Sequence, residues 1–299
     1  MKVSMQTDNS TQLLSLLNNV TIIGNAKGDW QLPPTGVTFI FNGTKSLSQP
    51  DSKNSALINI SNGPFAGSQC PFVVSAPFTD NELQALTRQL IEIAESLEKE
   101  LNCWPSTGLV TTVLMANVAD QLDVKRMSLL PSLKRELTMA TDVHLPCMVH
   151  NWLGERRIAL GLPNNKLNWP ELILAQPDAF QELDNNAELN KGQYIDQCPF
   201  ILLKQLREQT VSKLNQDKKQ RETNLMLLNY LATSPIESWI HRSTQEKLLE
   251  CELMFFNQTP EQTSSYWYLV DNQASQYLDG IRHRLAYCQQ VTATEQLML

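Results

Sequence analysis

No stretch of this 299-residue chain is apolar enough to cross a membrane, since none reaches the roughly 18 to 20 residues that a span needs. Residues 1–10 are polar and carry no leader pattern, so a cytoplasmic protein is expected. Basic residues are the minority, 24 Lys and Arg against 31 Asp and Glu, for a net charge of −7. That balance argues against a general binder of nucleic acid or of an anionic membrane, and leaves room for a local basic pocket. The six cysteines, Cys70, Cys103, Cys147, Cys198, Cys251 and Cys288, form no C-x-x-C pair. Neither a zinc knuckle nor a redox motif is indicated; an even count allows disulfides, and without a secretion signal buried thiols are the expectation. No cluster of residues has metal-ligand spacing, and there is no internal repeat or low-complexity tract. Histidine is scarce, with four in the chain.

What is present suits a globular core in one large domain or two, with 42% hydrophobic and 18% charged residues. Asp8 or Ser10 can cap a short helix over residues 8–18, with Leu13, Leu14, Leu16 and Leu17 as its apolar stripe. Val20 to Ile23, Val37 to Phe41, Ala56 to Ile60 and Phe72 to Ser75 are short, β-branched or aromatic runs bounded by turn residues, and read as strands. Thr79 to Leu101 has helical periodicity and opens in capping-box style. A further helix is expected over residues 107–122, a strand over Val124 to Leu130, a short helix from Ser132 to Met139, and a helix over Trp152 to Leu160. Beyond residue 166 the period is helical almost throughout, with helices over 199–214, 217–232, 244–256 and 266–289 and a frayed tail from Val291. The expected fold is α/β: a Rossmann-like, mainly parallel sheet flanked by helices in residues 1–165, then an all-helical appendage in residues 166–299. That helical half matches no known pattern and offers a surface for a protein partner.

Polar residues gather where the strands end. Gly24-Asn25 follows the first strand, Asn42-Gly43 the second, and Ser61-Asn62-Gly63 the third. In open α/β sheets ligands bind beyond the carboxyl ends of the strands, so these asparagines can line a pocket; they equally suit plain turns. The central stretch is Pro105-Ser106-Thr107-Gly108, which opens an apolar helix. Unpaired N–H groups and the helix dipole favour a phosphate or carboxylate there, and Gly108 has no side chain to keep a ligand off the backbone. A capped core helix packed on a sheet is the plainer alternative. Downstream, His150-Asn151-Trp152-Leu153-Gly154-Glu155 places a His and a Glu with four residues between.

In this order the three stretches resemble the sialyltransferases, both the animal families and the bacterial ones that share their fold. Pro105-Ser106-Thr107-Gly108-Leu109 and its helix are similar to the small sialyl motif. His150 and Glu155 are similar to the very small motif. Gly24-Asn25 and Phe39-Ile40-Phe41-Asn42 are similar to parts of the large motif. The resemblance spans about residues 19–160. It implies a metal-independent transfer of sialic acid or a related sugar from a CMP-activated donor to a glycan hydroxyl, with no other cofactor. His150 would be the general base; Gly24, Asn25, Asn42, Asn62, Ser106, Thr107 and Gly108 would hold the donor. Glu155 would play a structural part, because a helix starting between it and His150 prevents i, i+4 stacking. Lys27, Arg156 and Arg157 are nearby cations, read as surface residues. Without the membrane anchor of the animal members, the chain reads as a bacterial one. It departs from the family in lacking a glycine turn after Leu130 and a cysteine in the large-motif segment, so the animal disulfide does not carry over. Three alternatives stand: a related glycosyltransferase with another nucleotide sugar, a binding protein that keeps the fold without the reaction, and a Rossmann dehydrogenase. The last lacks the third glycine of its fingerprint in Gly24-Asn25-Ala26-Lys27-Gly28.

Overall fold

A computed structural model describes residues 12–43, 54–134, 146–163, 165–177, 197–211, 218–255 and 272–297. It divides into two compact units, Met1–Ser128 with Ile158–Ile173, and Leu129–Arg157 with Leu174–Leu299. The sequence reading set one break after residue 165; the chain instead passes between units three times. Apolar burial explains why residues 129–157 belong with the helices. Leu133, Met148 and Leu153 lie in the same apolar core as the C-terminal helices.

The first unit is an α/β unit with a Rossmann-like, mostly parallel sheet. Its elements are α1 (Gln12–Leu16), β1 (Asn19–Ile23), β2 (Gly36–Phe41), β3 (Ser55–Asn62), β4 (Phe72–Ser75), α2 (Asp80–Leu101), α3 (Thr107–Val118), β5 (Gln121–Lys125) and β6 (Leu167–Asn168). The sheet order is β4-β3-β2-β1-β5-β6. All pairs are parallel except β3 with β4. The chain leaves β1 toward β2 and β3, then returns through α2 and α3 to β5 on the other side of β1. The switch in strand order therefore falls between β1 and β5.

Register assigns the two faces. Val20, Ile22, Val37, Phe39, Phe41, Ala56, Ile58, Ile60, Leu122 and Val124 share one face, and all are buried. α3 packs across β1, β3 and β5 and against α2, which also packs on β4. Being apolar nearly all round, α3 suits a helix buried on both sides. Its buried Thr111 and Thr112 satisfy their hydroxyls by donating to the carbonyls of Thr107 and Gly108, each at 2.8 Å. On the opposite face Ile23, Ile40 and Leu57 are covered by Trp30 and Leu32 from the β1–β2 connection.

The four early strands begin and end within two residues of the expected positions. β5 does not: it runs from Gln121 to Lys125 rather than from Val124 to Leu130. It starts where the Asp120 and Gln121 N–H groups bond to the Asn18 carbonyl, and ends where Arg126 turns to φ 57°. α3 accordingly stops at Val118. β6 is a short strand within the stretch expected to be helical. Residues 131–134 are not helical, and the rest of the helix expected to Met139 lies outside the described residues.

The second unit holds α5 (Pro199–Val211), α6 (Lys218–Thr233), α7 (Ile236–Ile240), α8 (Gln245–Glu252) and α9 (Asn272–Leu297). The unit division falls inside α4 (Trp152–Leu160), after Arg157. α9 packs on α6, α7 and α8. It continues to Leu297, so the tail expected to fray from Val291 is helical. Trp239 is fully buried, with its ring edge-on to Phe200 and its N–H donating to the Ser234 hydroxyl at 2.8 Å. Burial pushes the Cys251 and Cys288 thiols up to about 12. Cys70 is exposed, against the expectation of buried thiols, and Cys147 lies outside the described side chains. Among the described residues no helix is long and apolar enough to cross a membrane.

The start of α2 shows how the first unit is tied together. Thr79 and Glu82 form a reciprocal capping box. The Glu82 carboxylate also accepts the Leu13 N–H at 3.1 Å, joining α1 to α2. Burial pushes the Glu82 carboxyl up, but the bonds from the Thr79 hydroxyl, the Thr79 N–H and the Leu13 N–H together outweigh it, leaving the group below its ordinary 4.5. A depressed folded-state value means stabilisation that is present above pH 4.5 and is lost as pH falls through the lower folded value. Glu82→Gln should therefore cost about 1 kcal/mol near pH 7, and the difference should shrink as pH falls through the lowered folded value. Urea unfolding of wild type and variant at neutral pH and over a descending acid series checks this; an undiminished difference in acid would contradict it.

Candidate functional site

Seven of the residues named from the sequence lie at the carboxyl edge of the parallel sheet. Gly24 and Asn25 follow β1, Asn42 follows β2, and Asn62 ends β3. Ser106, Thr107 and Gly108 open α3, which runs antiparallel to the strands and starts at the same edge. An added Cβ at Gly108 would meet the Met127 sulfur at 2.5 Å and the Phe41 ring at 3.8 Å. Met127 follows β5 and Phe41 ends β2, so the contacts place the start of α3 beside these strand ends.

At this edge the turns after β1 and β5 touch. The Gly24 N–H donates to the Lys125 carbonyl at 2.8 Å, and the Ala26 N–H to the Arg126 carbonyl at 3.3 Å. A Cβ on Gly24 would lie 2.7 Å from the Met127 Cβ and closer still to the Arg126 carbonyl oxygen. Glycine is required because backbone meets backbone. From the other side, Glu171 accepts the Arg126 N–H at 3.0 Å and the Trp169 indole donates to the Met127 carbonyl. These contacts clamp Arg126 in its left-handed conformation.

The individual side chains do more structural work than the sequence suggested. Ser106 is the N-cap of α3, and its hydroxyl accepts the Leu109 N–H at 3.3 Å. The space beside Gly108 is filled by Met127, so the missing side chain serves packing rather than leaving open backbone. Asn42 has φ 54°, a conformation asparagine tolerates. Its carboxamide oxygen accepts the Asn62 N–H at 3.0 Å, and that of Asn62 accepts the Phe65 N–H at 2.9 Å. Both asparagines therefore make turns. Their NH2 groups, the Thr107 hydroxyl and the N–H groups of Thr107 and Gly108 have no protein acceptor among the described residues. Asn25 is exposed. The edge is rich in hydrogen-bond donors, which is the chemistry that receives phosphate or carboxylate.

His150 and Glu155 belong to the second unit. Asn151 caps α4: its side-chain oxygen accepts the Gly154 N–H at 3.0 Å and its carbonyl the Glu155 N–H at 2.8 Å. His150 thus sits one residue before the cap, 23% exposed, with its ring edge-on to Trp152 at 5.0 Å. Glu155 is fully buried, and its Oε1 lies 3.9 Å from His150 Nδ1. The helix does begin between them as expected, and the carboxylate still reaches ion-pair range, too long for a hydrogen bond. Arg156 corrects the surface reading: it is fully buried, and burial, followed by the nearby Arg282, lowers it to about 10. Arg157 is partly buried and pairs with Glu252 at 2.7 Å. Lys27 is exposed as expected.

Arg126 escaped the sequence reading. The strand expected over Val124 to Leu130 places it mid-strand, and its neighbours Lys125 and Met127 form no motif with it. Its only local signal is a second cation directly after Lys125. No family model, curated protein or solved structure matches the chain.

The two glycines predict different tolerances. Gly24→Ala drives a Cβ into a backbone carbonyl and should cost about 1 to 3 kcal/mol. Gly108→Ala meets only the movable end of Met127 and should cost less than about 1 kcal/mol. Urea midpoints for the two variants test the order; equal losses would remove the close-approach account of Gly24.

Proposed function

We propose that the chain is a metal-independent glycosyltransferase that moves sialic acid or a related sugar from a CMP-activated donor to a hydroxyl acceptor. One observation carries this: Ser106-Thr107-Gly108 opens α3 at the carboxyl edge of a Rossmann-like sheet, beside the β1–β5 switch, with the Thr107 hydroxyl and the Thr107 and Gly108 N–H groups unspent among the described residues. The nucleotide phosphate and the sugar carboxylate are anions that such donors bind. The resemblance of these residues, and of Gly24-Asn25, Asn42 and His150, to the sialyl motifs supports the same conclusion. In the transfer, the CMP phosphate leaves without needing an acid, and the acceptor hydroxyl gives its proton to a base. His150 is the base, partly exposed and set before the α4 cap, with the Glu155 carboxylate 3.9 Å from its ring. Ser106 holds the shape of the α3 turn, while Thr107 supplies a hydroxyl and an N–H to the donor.

A second reading, a nucleotide- or partner-binding protein without the reaction, draws on other observations. Met127 fills the space at Gly108, and Asn42 and Asn62 spend their oxygens on turns.

Loss of the base and loss of a donor contact should separate in kinetics. His150→Ala should lower turnover by about 100- to 10,000-fold with little change in donor affinity, because the imidazole acts only as the proton leaves. Thr107→Val should weaken CMP binding by about 1 to 3 kcal/mol. Calorimetry with CMP and initial rates for wild type and both variants test the pair. An unchanged rate in His150→Ala would remove the base. CMP binding without turnover or donor hydrolysis would favour the binding protein.

A further inference from the structure

Three cations stand at the β1–β5 switch of a chain whose net charge is −7. Lys125 ends β5, opposite Ile23 at the end of β1. Arg126 follows it, and Lys27 lies in the turn after β1. Lys125 and Lys27 are exposed. The Arg126 guanidinium crosses to that turn, where its Nε and one terminal nitrogen donate to the Ala26 carbonyl, with Nε at 2.6 Å. Two of its five N–H donors are spent there, and no carboxylate pairs with the rest among the described residues.

Nearby acids do not neutralise this group. Glu171 accepts the Arg126 backbone N–H rather than its guanidinium. Asp123 accepts the Asn168 amide at 2.7 Å. Asp29, in the same loop as Lys27, offsets one of the three charges. The position is also conformationally costly: Arg126 has φ 57°, a region that favours glycine. A residue chosen for the turn alone would be glycine, so the side chain at this position calls for a reason of its own. Its neighbour Met127 packs on Gly108, so the Arg126 backbone is one residue from the contact with the first turn of α3, while its guanidinium lies at the turn after β1.

We infer that Arg126, flanked by Lys27 and Lys125, is the phosphate-binding cation of this edge and holds the phosphate of a nucleoside monophosphate unit. This rests on the transferase reading for the choice of nucleotide, while the cation site itself needs only a phosphate ester. Arginine presents paired N–H donors to phosphate oxygens, whereas the lysines act as point charges that raise the local potential.

The test is calorimetry on the full chain with CMP, cytidine, UMP, AMP and inorganic phosphate, at low and moderate salt. Wild type should bind CMP at least tenfold more tightly than cytidine. Arg126→Gln should weaken CMP about 10- to 100-fold, leave cytidine unchanged, and flatten the salt dependence. Arg126→Gly should keep the melting temperature, since glycine accepts the left-handed backbone, and still lose CMP affinity. That split separates a binding role from a structural one. CMP bound equally well by wild type and Arg126→Gln overturns the inference and leaves the transferase reading standing. UMP, AMP or inorganic phosphate bound through Arg126, without CMP, upholds the cation site and ends the CMP-transferase reading. No binding of any phosphate probe by wild type overturns the inference, and cytidine bound as tightly as CMP does the same.

Discussion

The carboxyl edge of the sheet depends on one close approach, that of the turn after β1 to the turn after β5. Gly24 lets the two backbones come within hydrogen-bonding distance, and a single methyl group there would collide with a carbonyl. Glu171 and Trp169 press the β5 turn from the other side. The result holds Met127 against Gly108, and so sets where α3 begins relative to the strand ends. Loosen the Gly24 contact and the left-handed Arg126, the α3 cap and the asparagine turns lose their common reference.

Packing and ligand chemistry share the same residues at this edge. Ser106 spends its acceptor on the cap, and Asn42 and Asn62 spend theirs on turns. What the two asparagines leave over is the donor capacity of their NH2 groups. Acceptors satisfied internally and amide donors left over give this edge a hydrogen-bonding character suited to anions, beside the three cations of the β1–β5 switch. The arrangement also accounts for the acidic whole beside a locally basic switch, because the three cations there act over a short range and the remaining charge is screened beyond about 10 Å.

The helical unit handles charge in the opposite way. Arg156 and Arg284 are buried, and burial lowers both to about 10. Arg284 keeps its charge by donating to the carbonyls of Ser234 and Gly280. Removing such hydrogen bonds while leaving the guanidinium buried costs far more than an exposed pair would. Arg284 ties α9 to the turn between α6 and α7, and both guanidinium groups are part of the packing, which local sequence, blind to long polar side chains folded inward, does not reveal for Arg156.

Local order was legible from the chain by itself. The strand runs of β1 to β4, the capping box of α2, the Ser106 cap and the start of α4 each depend on residues within a few positions of one another, so propensity, period and turn chemistry reveal them. The clustering of Gly24, Asn42, Asn62 and Ser106 at strand ends and a helix start was legible for the same reason. Tertiary contacts decided the rest. Arg126 meets Ala26 across a hundred residues, Met127 fills the space at Gly108, and Leu133, Met148 and Leu153 pack into the helical core. β5 starts and ends three or more residues early because Asn18 and Glu171 hold its two ends, and neither is near it in sequence. A one-dimensional pattern records which residues prefer a strand or a helix. It does not record which carbonyl will stand opposite a glycine once the sheet is formed.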